Sequence, residues 1–344
     1  LKAFDSTPST RSDRPLQIAL FITSAAWFFA SQTLAGRAAM GLSVRFNLSD
    51  ERPLLGVLFL LFLLSIGFIF LQMIAHQSSS LREALGLPQR ATAVQEWSLG
   101  AAIGWGLVVL AVLPMALGGT LHPIFWAAPR AFWLVVLNLA MLAVSALVEE
   151  VAFRGYPFRR LIEVIGPTWA TILMSTFFGV LHAFNPDATW ISVLITIFAG
   201  VLLSIAWLRT HGLWLGWGLH FAWNASMGVL FGLPVSGIVD FSSIVQTRAI
   251  GRIWLTGGDY GPEAAFFTLL VLAIGVVVVV FATRDYSWNY TRKPIIAAGY
   301  PMDVPPPEAH TAMEQQAKPP SLVQILPTTP QERSVSDPPD RVGS

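Results

Sequence analysis

The chain has 344 residues, of which 54% are hydrophobic and only 12% charged, with a mean hydropathy of +0.61. A water-soluble globule carries about a quarter of its residues as Asp, Glu, Lys or Arg, so that class is excluded. Twenty acids against twenty-one Lys and Arg leave a net charge of +1, which gives no electrostatic case for nucleic acid. Cys is absent, which excludes disulfides, iron–sulfur clusters and thiolate zinc sites; any metal would need His and carboxylate.

A hydrocarbon core about 30 Å thick is crossed by about twenty apolar residues in a helix. That length predicts about eight spans, near residues 15–36, 53–75, 98–118, 131–150, 168–185, 190–208, 213–232 and 264–282. The expected fold is all-α, a polytopic transmembrane helix bundle. The first span reads as an anchor, because its apolar stretch is long and no small-residue cleavage pattern follows it. If the N-terminus is cytoplasmic, the inside segments hold fifteen Lys and Arg, and the outside loops hold only Arg37, Arg45, Arg52, Arg130, Arg248 and Arg252. This bias places both termini in the cytoplasm, although three of the fifteen lie too far down the C-terminal tail to count for much. The spacings Gly100–Gly104, Gly212–Gly216 and Gly228–Gly232 suit close helix approach. From Tyr300 the tail holds ten of the 23 prolines and no apolar period, and is expected to be disordered. The expected organisation is 1–129 for the N-terminal spans, 130–232 for a core, 233–299 for a loop and the last span, and 300–344 for the tail.

The informative residues are polar ones inside apolar runs. The fourth run reads AVSALVEEVAFRGYPFRRL, with Glu149, Glu150 and Arg154 where the helix is in or just leaving hydrocarbon. A carboxylate at mid-bilayer costs about 2.5–3.5 kcal/mol on insertion scales, so two adjacent ones need partners or water. Glu150 and Arg154 are four apart and share a face, whereas Glu149 lies about 100° round the helix. The fifth run carries Phe178 and His182, again one turn apart, and the seventh carries His220 and Asn224 in the same spacing. One His in a helix is ordinarily a hydrogen-bonded core residue, and the two acids alone would suit an interface. Polar groups from three spans together are expected to converge on one internal cavity. His76, His122, His211 and His310 read as solvated. A surplus glutamate, two histidines and an asparagine form a hydrolytic inventory: a base for water, proton carriers and oxyanion donors. Two histidines and a glutamate also make a catalytic zinc set with one open position.

These residues resemble the CPBP intramembrane metalloprotease family, which includes CAAX prenyl endopeptidases and bacteriocin-processing or immunity (Abi-like) membrane proteins. The pattern of that family is EExxxR, FxxxH and HxxxN or HxxxD on successive helices. Here EEVAFR, FGVLH and HFAWN supply it in order, over about residues 130–232. The WLTGGDYGPE loop from Trp254 to Glu263 also resembles bacterial members. The resemblance implies that Glu149 activates the attacking water with His182 nearby, and that Glu150 and Arg154 hold the geometry or steer the substrate. His220 and Asn224 would stabilise the tetrahedral intermediate or complete a metal site, in which Glu149, His182 and His220 would bind zinc. Glutamate-activated water without a metal accounts for the same residues.

The expected function is an intramembrane endopeptidase acting on a membrane-associated peptide or protein, in a bacterial cytoplasmic membrane, with the lipid bilayer as its environment. The rival is a non-catalytic binding or immunity protein that uses the same cavity. A proton-coupled transporter is a weaker third, lacking paired discontinuous helices or a repeat. One tension accompanies these expectations. His182 lies about 15 residues, or about 22 Å, into its predicted span, whereas Glu149 is at the end of its own. For the two to meet, the fourth helix is expected to continue to about Glu163 and the fifth to begin before its apolar run.

Overall fold

Backbone groups in hydrocarbon must be satisfied within their own segment, which leaves the helix as the structure for isolated apolar runs. The computed structural model describes residues 14–75, 81–126, 128–239 and 241–285, and every predicted span falls on a helix there. In chain order these are α1 (Arg14–Phe46), α2 (Arg52–Ile74), the short α3 (Leu81–Ala84), α4 (Ala93–Leu117), α5 (Pro129–Arg154), α6 (Tyr156–Leu181), α7 (Trp190–Thr210), α8 (Trp214–Ala225), the short α9 (Ile253–Thr256) and α10 (Phe266–Ala282). Two strands, β1 (Leu121–Phe125) and β2 (Val245–Ala249), pair antiparallel with Leu121 opposite Ala249. The expected disordered tail, His76 and His310 lie outside the described residues.

Among the described residues five segments are long and apolar enough to cross a membrane: α1, α2, α4, the 56-residue run Pro129–Phe184 that holds α5 and α6, and α7. The apolar α10 has 17 residues and α8 only 12, continued by a π turn over Ser226–Leu230. The expected continuation of the fourth helix to Glu163 is not what forms. Gly155 leaves the helical region (φ −80°, ψ −126°), α5 stops at Arg154, and Pro157 opens a new helix in its first turn, where a missing N–H costs nothing. Gly166 (φ 81°) and Pro167 break α6 once more. The fifth helix therefore does begin well before its apolar run, as expected.

Two hydrophobic clusters build the interior. One joins α1, α2, α5 and α6 around Leu64, Phe68, Val151 and Phe158, and the other joins α4, α7, α8 and α10 around Val108, Met115, Leu215 and Val271, all fully buried. α4 and α8 meet backbone to backbone. A Cβ on Gly100 would collide with the Leu215 carbonyl, one on Gly104 with that of Leu219, and one on Gly218 with that of Trp97. The Gly100–Gly104 spacing thus performs the expected close approach. Gly212 lies in the α7–α8 turn and Gly232 (φ 63°) beyond the π turn, so the other two spacings are not single helix faces.

The connections gather at two ends. At one, Arg159 donates to the Ala84 carbonyl (2.7 Å), Arg90 to that of Thr210 (2.8 Å), Arg160 to Gln17 (2.9 Å) and Arg209 to Thr283 (3.1 Å). Arg14, Arg82, Arg90, Arg159, Arg160, Arg209 and Arg284 belong to this end, whereas Arg154 is buried within the bundle. At the other, Arg130 pairs with Asp50, the Trp126 N–H donates to the Ile244 carbonyl (2.9 Å), and Asn185 donates to the Ser236 carbonyl (3.1 Å). Arg37, Arg45, Arg52, Arg130, Arg248 and Arg252 belong here, with the β1–β2 ribbon.

Candidate active site

The C-terminal turns of α5 carry Glu149, Glu150 and Arg154. Glu150 and Arg154 are fully buried. A charge so placed needs both an opposite charge and hydrogen bonds. Arg154 Nη1 lies 3.4 Å from Glu150 Oε1, and its Nη2 donates to the Gly200 carbonyl on α7 at 3.1 Å. The guanidinium also stacks over the Phe178 ring of α6, 4.4 Å from its centroid. Glu150 Oε1 takes a shorter contact from α8, with His220 Nδ1 at 2.9 Å. One buried ion pair therefore ties α5 to α6, α7 and α8. Glycines make room for it: a Cβ on Gly216 would stand 3.2 Å from Glu150 Oε2, and one on Gly200 3.3 Å from Arg154 Nη2.

The partner of His220 Nδ1 is a carboxylate, which only accepts, so Nδ1 carries the proton and the ring orientation is fixed. The opposite nitrogen, Nε2, faces Glu149 Oε2 at 3.7 Å. Glu149 retains 29% of its side-chain exposure, yet its Oε2 is buried with no hydrogen-bond partner in the protein, as is Glu150 Oε2. His182 ends α6 with Nδ1 2.7 Å from the Phe178 carbonyl, which leaves Nε2 as its acceptor, and its ring packs on Phe178 at 4.5 Å.

Glu149, Phe178, His182, His220 and Asn224 line one cavity of about 550 Å³ between the two hydrophobic clusters. Glu150 and Arg154 stand behind its wall. The sequence pattern thus separates in space into a group that faces the cavity and a pair that holds it. Glu149 and His220 are spaced as neighbouring donors, but among the described residues no three His, Asp or Glu side chains gather into a metal-binding group. His182 shares the cavity without joining that pair. The donor set as placed does not complete the three protein ligands of a catalytic zinc.

A second acid in the cavity wall was not singled out from sequence. Glu263, just before α10, accepts from Trp223 Nε1 (2.7 Å) at one oxygen and from the Ser236 hydroxyl (2.8 Å) and N–H at the other. Tyr260 beside it is 1% exposed, and burial together with the Glu263 carboxylate pushes its phenol up to about 12. The available signal was an acid abutting an apolar run, in a loop already marked by its glycines. Of the remaining histidines, His122 and His211 are exposed, as expected.

No curated protein and no solved structure matches the chain. Residues 131–226, from the first turn of α5 to the residue after α8, match the family described as type II CAAX prenyl endopeptidase Rce1-like. Glu149, Glu150, Arg154, His182, His220 and Asn224 all fall inside that stretch, which, set among apolar helices, is a domain of the CPBP/CAAX protease family.

Proposed function

We propose that this protein is an intramembrane endopeptidase, which hydrolyses a peptide bond of a membrane-associated peptide or protein with water activated by Glu149. The observation that carries the reading is the buried Oε2 of Glu149, without a hydrogen-bond partner in the protein and 3.7 Å from His220 Nε2 in a largely apolar cavity. A water between them would donate to Glu149 and sit beside the imidazole. Glu149 takes one proton as the water oxygen bonds to the carbonyl carbon, then returns it to the amide nitrogen as the C–N bond breaks. Glu150 orients His220 through Nδ1, which turns Nε2 toward the reacting carbonyl, where it serves the oxyanion when protonated. Asn224, one turn further along α8, is the second donor. His182, with Nδ1 bound to Phe178, offers an acceptor nitrogen for proton traffic at the cavity wall. The pair Glu150–Arg154 touches no substrate and positions the rest.

No step here passes through a metal. Orientation follows the arginine bias, with the arginine-rich end and both termini in the cytoplasm. The test is cleavage of a membrane-peptide library by purified wild type and Glu149→Gln in detergent, each with chelator and then with zinc. Cleavage by wild type alone, unaffected by chelator, is expected. Chelator sensitivity rescued by zinc would make Glu149, His182 and His220 ligands instead. Identical profiles from the two folded proteins would leave the cavity as a binding site, as in an immunity protein.

A further inference from the structure

The cavity has a second polar region. The WLTGGDYGPE loop lies beyond the matched residues 131–226, takes no part in the proposed chemistry, and brings Glu263 to the cavity wall with Tyr260 beside it. Tyr260 is held at Gly237: its carbonyl accepts from the Gly237 N–H at 2.9 Å, and a Cβ on that glycine would stand 3.3 Å from the tyrosine ring. The buried hydroxyl faces Asn185, Thr196 and Ser236, and completes a hydrogen bond with no group among the described residues. Those three neighbours line the cavity.

Each neighbour has already spent a donor. Thr196 donates to the Ser192 carbonyl (2.8 Å), Ser236 to Glu263 (2.8 Å), and Asn185 Nδ2 to the Ser236 carbonyl (3.1 Å), which leaves Asn185 Oδ1 to accept. Glu263 is bonded at both oxygens, so its charge is answered within the wall. The region therefore presents one unspent donor, the Tyr260 O–H, beside one unspent acceptor. In an extended chain the N–H and C=O of one residue point to the same side, which matches such a pair.

The helices give its distance from the reacting groups. Glu263 binds Trp223, three residues after His220, which is about 5 Å along α8. On α7, Thr196 precedes Leu203 by seven residues, and the Leu203 carbonyl stands 3.9 Å from where a Cβ on Gly216 would be, seven residues before Trp223. Both helices thus put this region at the level of Trp223. An extended chain advances about 3.3 Å per residue, so about two residues cover the distance.

We propose that Tyr260 and Asn185 form a substrate subsite that grips the main chain of one residue of an extended peptide, about two residues from the scissile bond. Tyr260 donates to that residue's carbonyl and Asn185 Oδ1 accepts its N–H. The proposal rests on the endopeptidase reading for what is then cleaved. A neutral pair selects main chain over a charged side chain, so the subsite sets register, while Met141, Leu142, Leu202 and Leu219 offer apolar walls to side chains.

The test is a coupling measurement. The probe is a fluorescein-labelled polyalanine decapeptide with two central leucines, made as a series in which one backbone amide at a time is an ester, which weakens the carbonyl and removes the following N–H. Binding to Glu149→Gln and to Glu149→Gln with Tyr260→Phe is read by anisotropy in detergent, with the melting temperature of each protein as the control for folding. Tyr260→Phe is expected to weaken binding of the all-amide peptide about three- to tenfold. At one linkage the ester should cost as much in the Tyr260 protein and nothing further in Tyr260→Phe, and at the linkage before it the loss should be equal in both. Additive losses at every linkage overturn the subsite, as do unchanged affinity in Tyr260→Phe and absence of binding to Glu149→Gln. Cleavage of the all-amide peptide by wild type is scored separately: coupling without cleavage would refute the peptidase reading and leave the subsite standing, and cleavage without coupling would do the reverse.

Discussion

Two carboxylate clusters face the same cavity and differ in one respect. Around Glu263 every oxygen is used: Trp223 binds one, and the Ser236 hydroxyl and N–H bind the other. Around Glu149 and Glu150 one oxygen of each is buried without a protein partner, as is the Nε of the neighbouring Arg154, while Arg154 Nη2 and His220 Nδ1 are bonded. A buried carboxylate whose bonds are complete holds a loop in place, whereas one whose bonds are incomplete is held ready for something that arrives. Under the proposed function, the difference corresponds to structural work at Glu263 and chemical work at Glu149, with Glu150 between them as the partner of His220.

Substitution is the way to break or sharpen that contrast. The largest effect is expected from Glu149→Gln, which removes the base: cleavage falls by about 10²–10⁴-fold while the melting temperature in detergent is little changed. Arg154→Ala leaves Glu150 as an uncompensated buried charge and is expected to destabilise the protein by about 3–5 kcal/mol, read by denaturant titration. Equal losses of activity and of stability in Glu149→Gln would erase the distinction between the two clusters. Glu263→Gln weakens charge-assisted bonds to a loop and is expected to cost about 1.5–3 kcal/mol of stability, with cleavage per folded molecule far less affected than by Glu149→Gln. A Glu263→Gln as inactive as Glu149→Gln would move Glu263 into the chemistry.

The smallest effect is a matter of pH. The Tyr260 phenol rises from 10.0 to about 12 on folding, so between those values the unfolded chain has released a proton that the folded chain retains. Stability therefore falls as pH climbs through that window and is unaffected by this group below it. Tyr260→Phe is expected to flatten that alkaline decline in thermal melts.

Most of the helical framework was legible because hydropathy and length are local properties. The candidate residues that share the cavity could be singled out because Glu149, His182 and His220 break apolar runs at a cost that sequence alone exposes. What escaped depended on distance along the chain. Glu150 reads as the partner of Arg154 by its i,i+4 spacing, and they do meet at 3.4 Å. Its shorter contact, however, is with His220, seventy residues away. Glu263 draws its partners from 27 and 40 residues away. The end of α5 was misjudged although the signal was present: in RGYPF, the glycine and the residue before proline both disfavour a continuing helix. The seventh span is met by α8 and the π turn that continues it to Leu230, a change of helix type that hydropathy does not register.

The backbone contact of α4 with α8 at Gly100, Gly104 and Gly218 also bears on timescale. With carbonyls of one helix set into the space where the other lacks side chains, α8 cannot slide or rotate without separating from α4 altogether. Amides flanking His220 should then exchange with deuterium only when the whole bundle opens, whereas those of the loop at 232–239 should exchange through small local openings. If Glu149 and His220 act as proposed, they are set before any ligand arrives, and the slow coordinate left to the molecule is the movement of that loop.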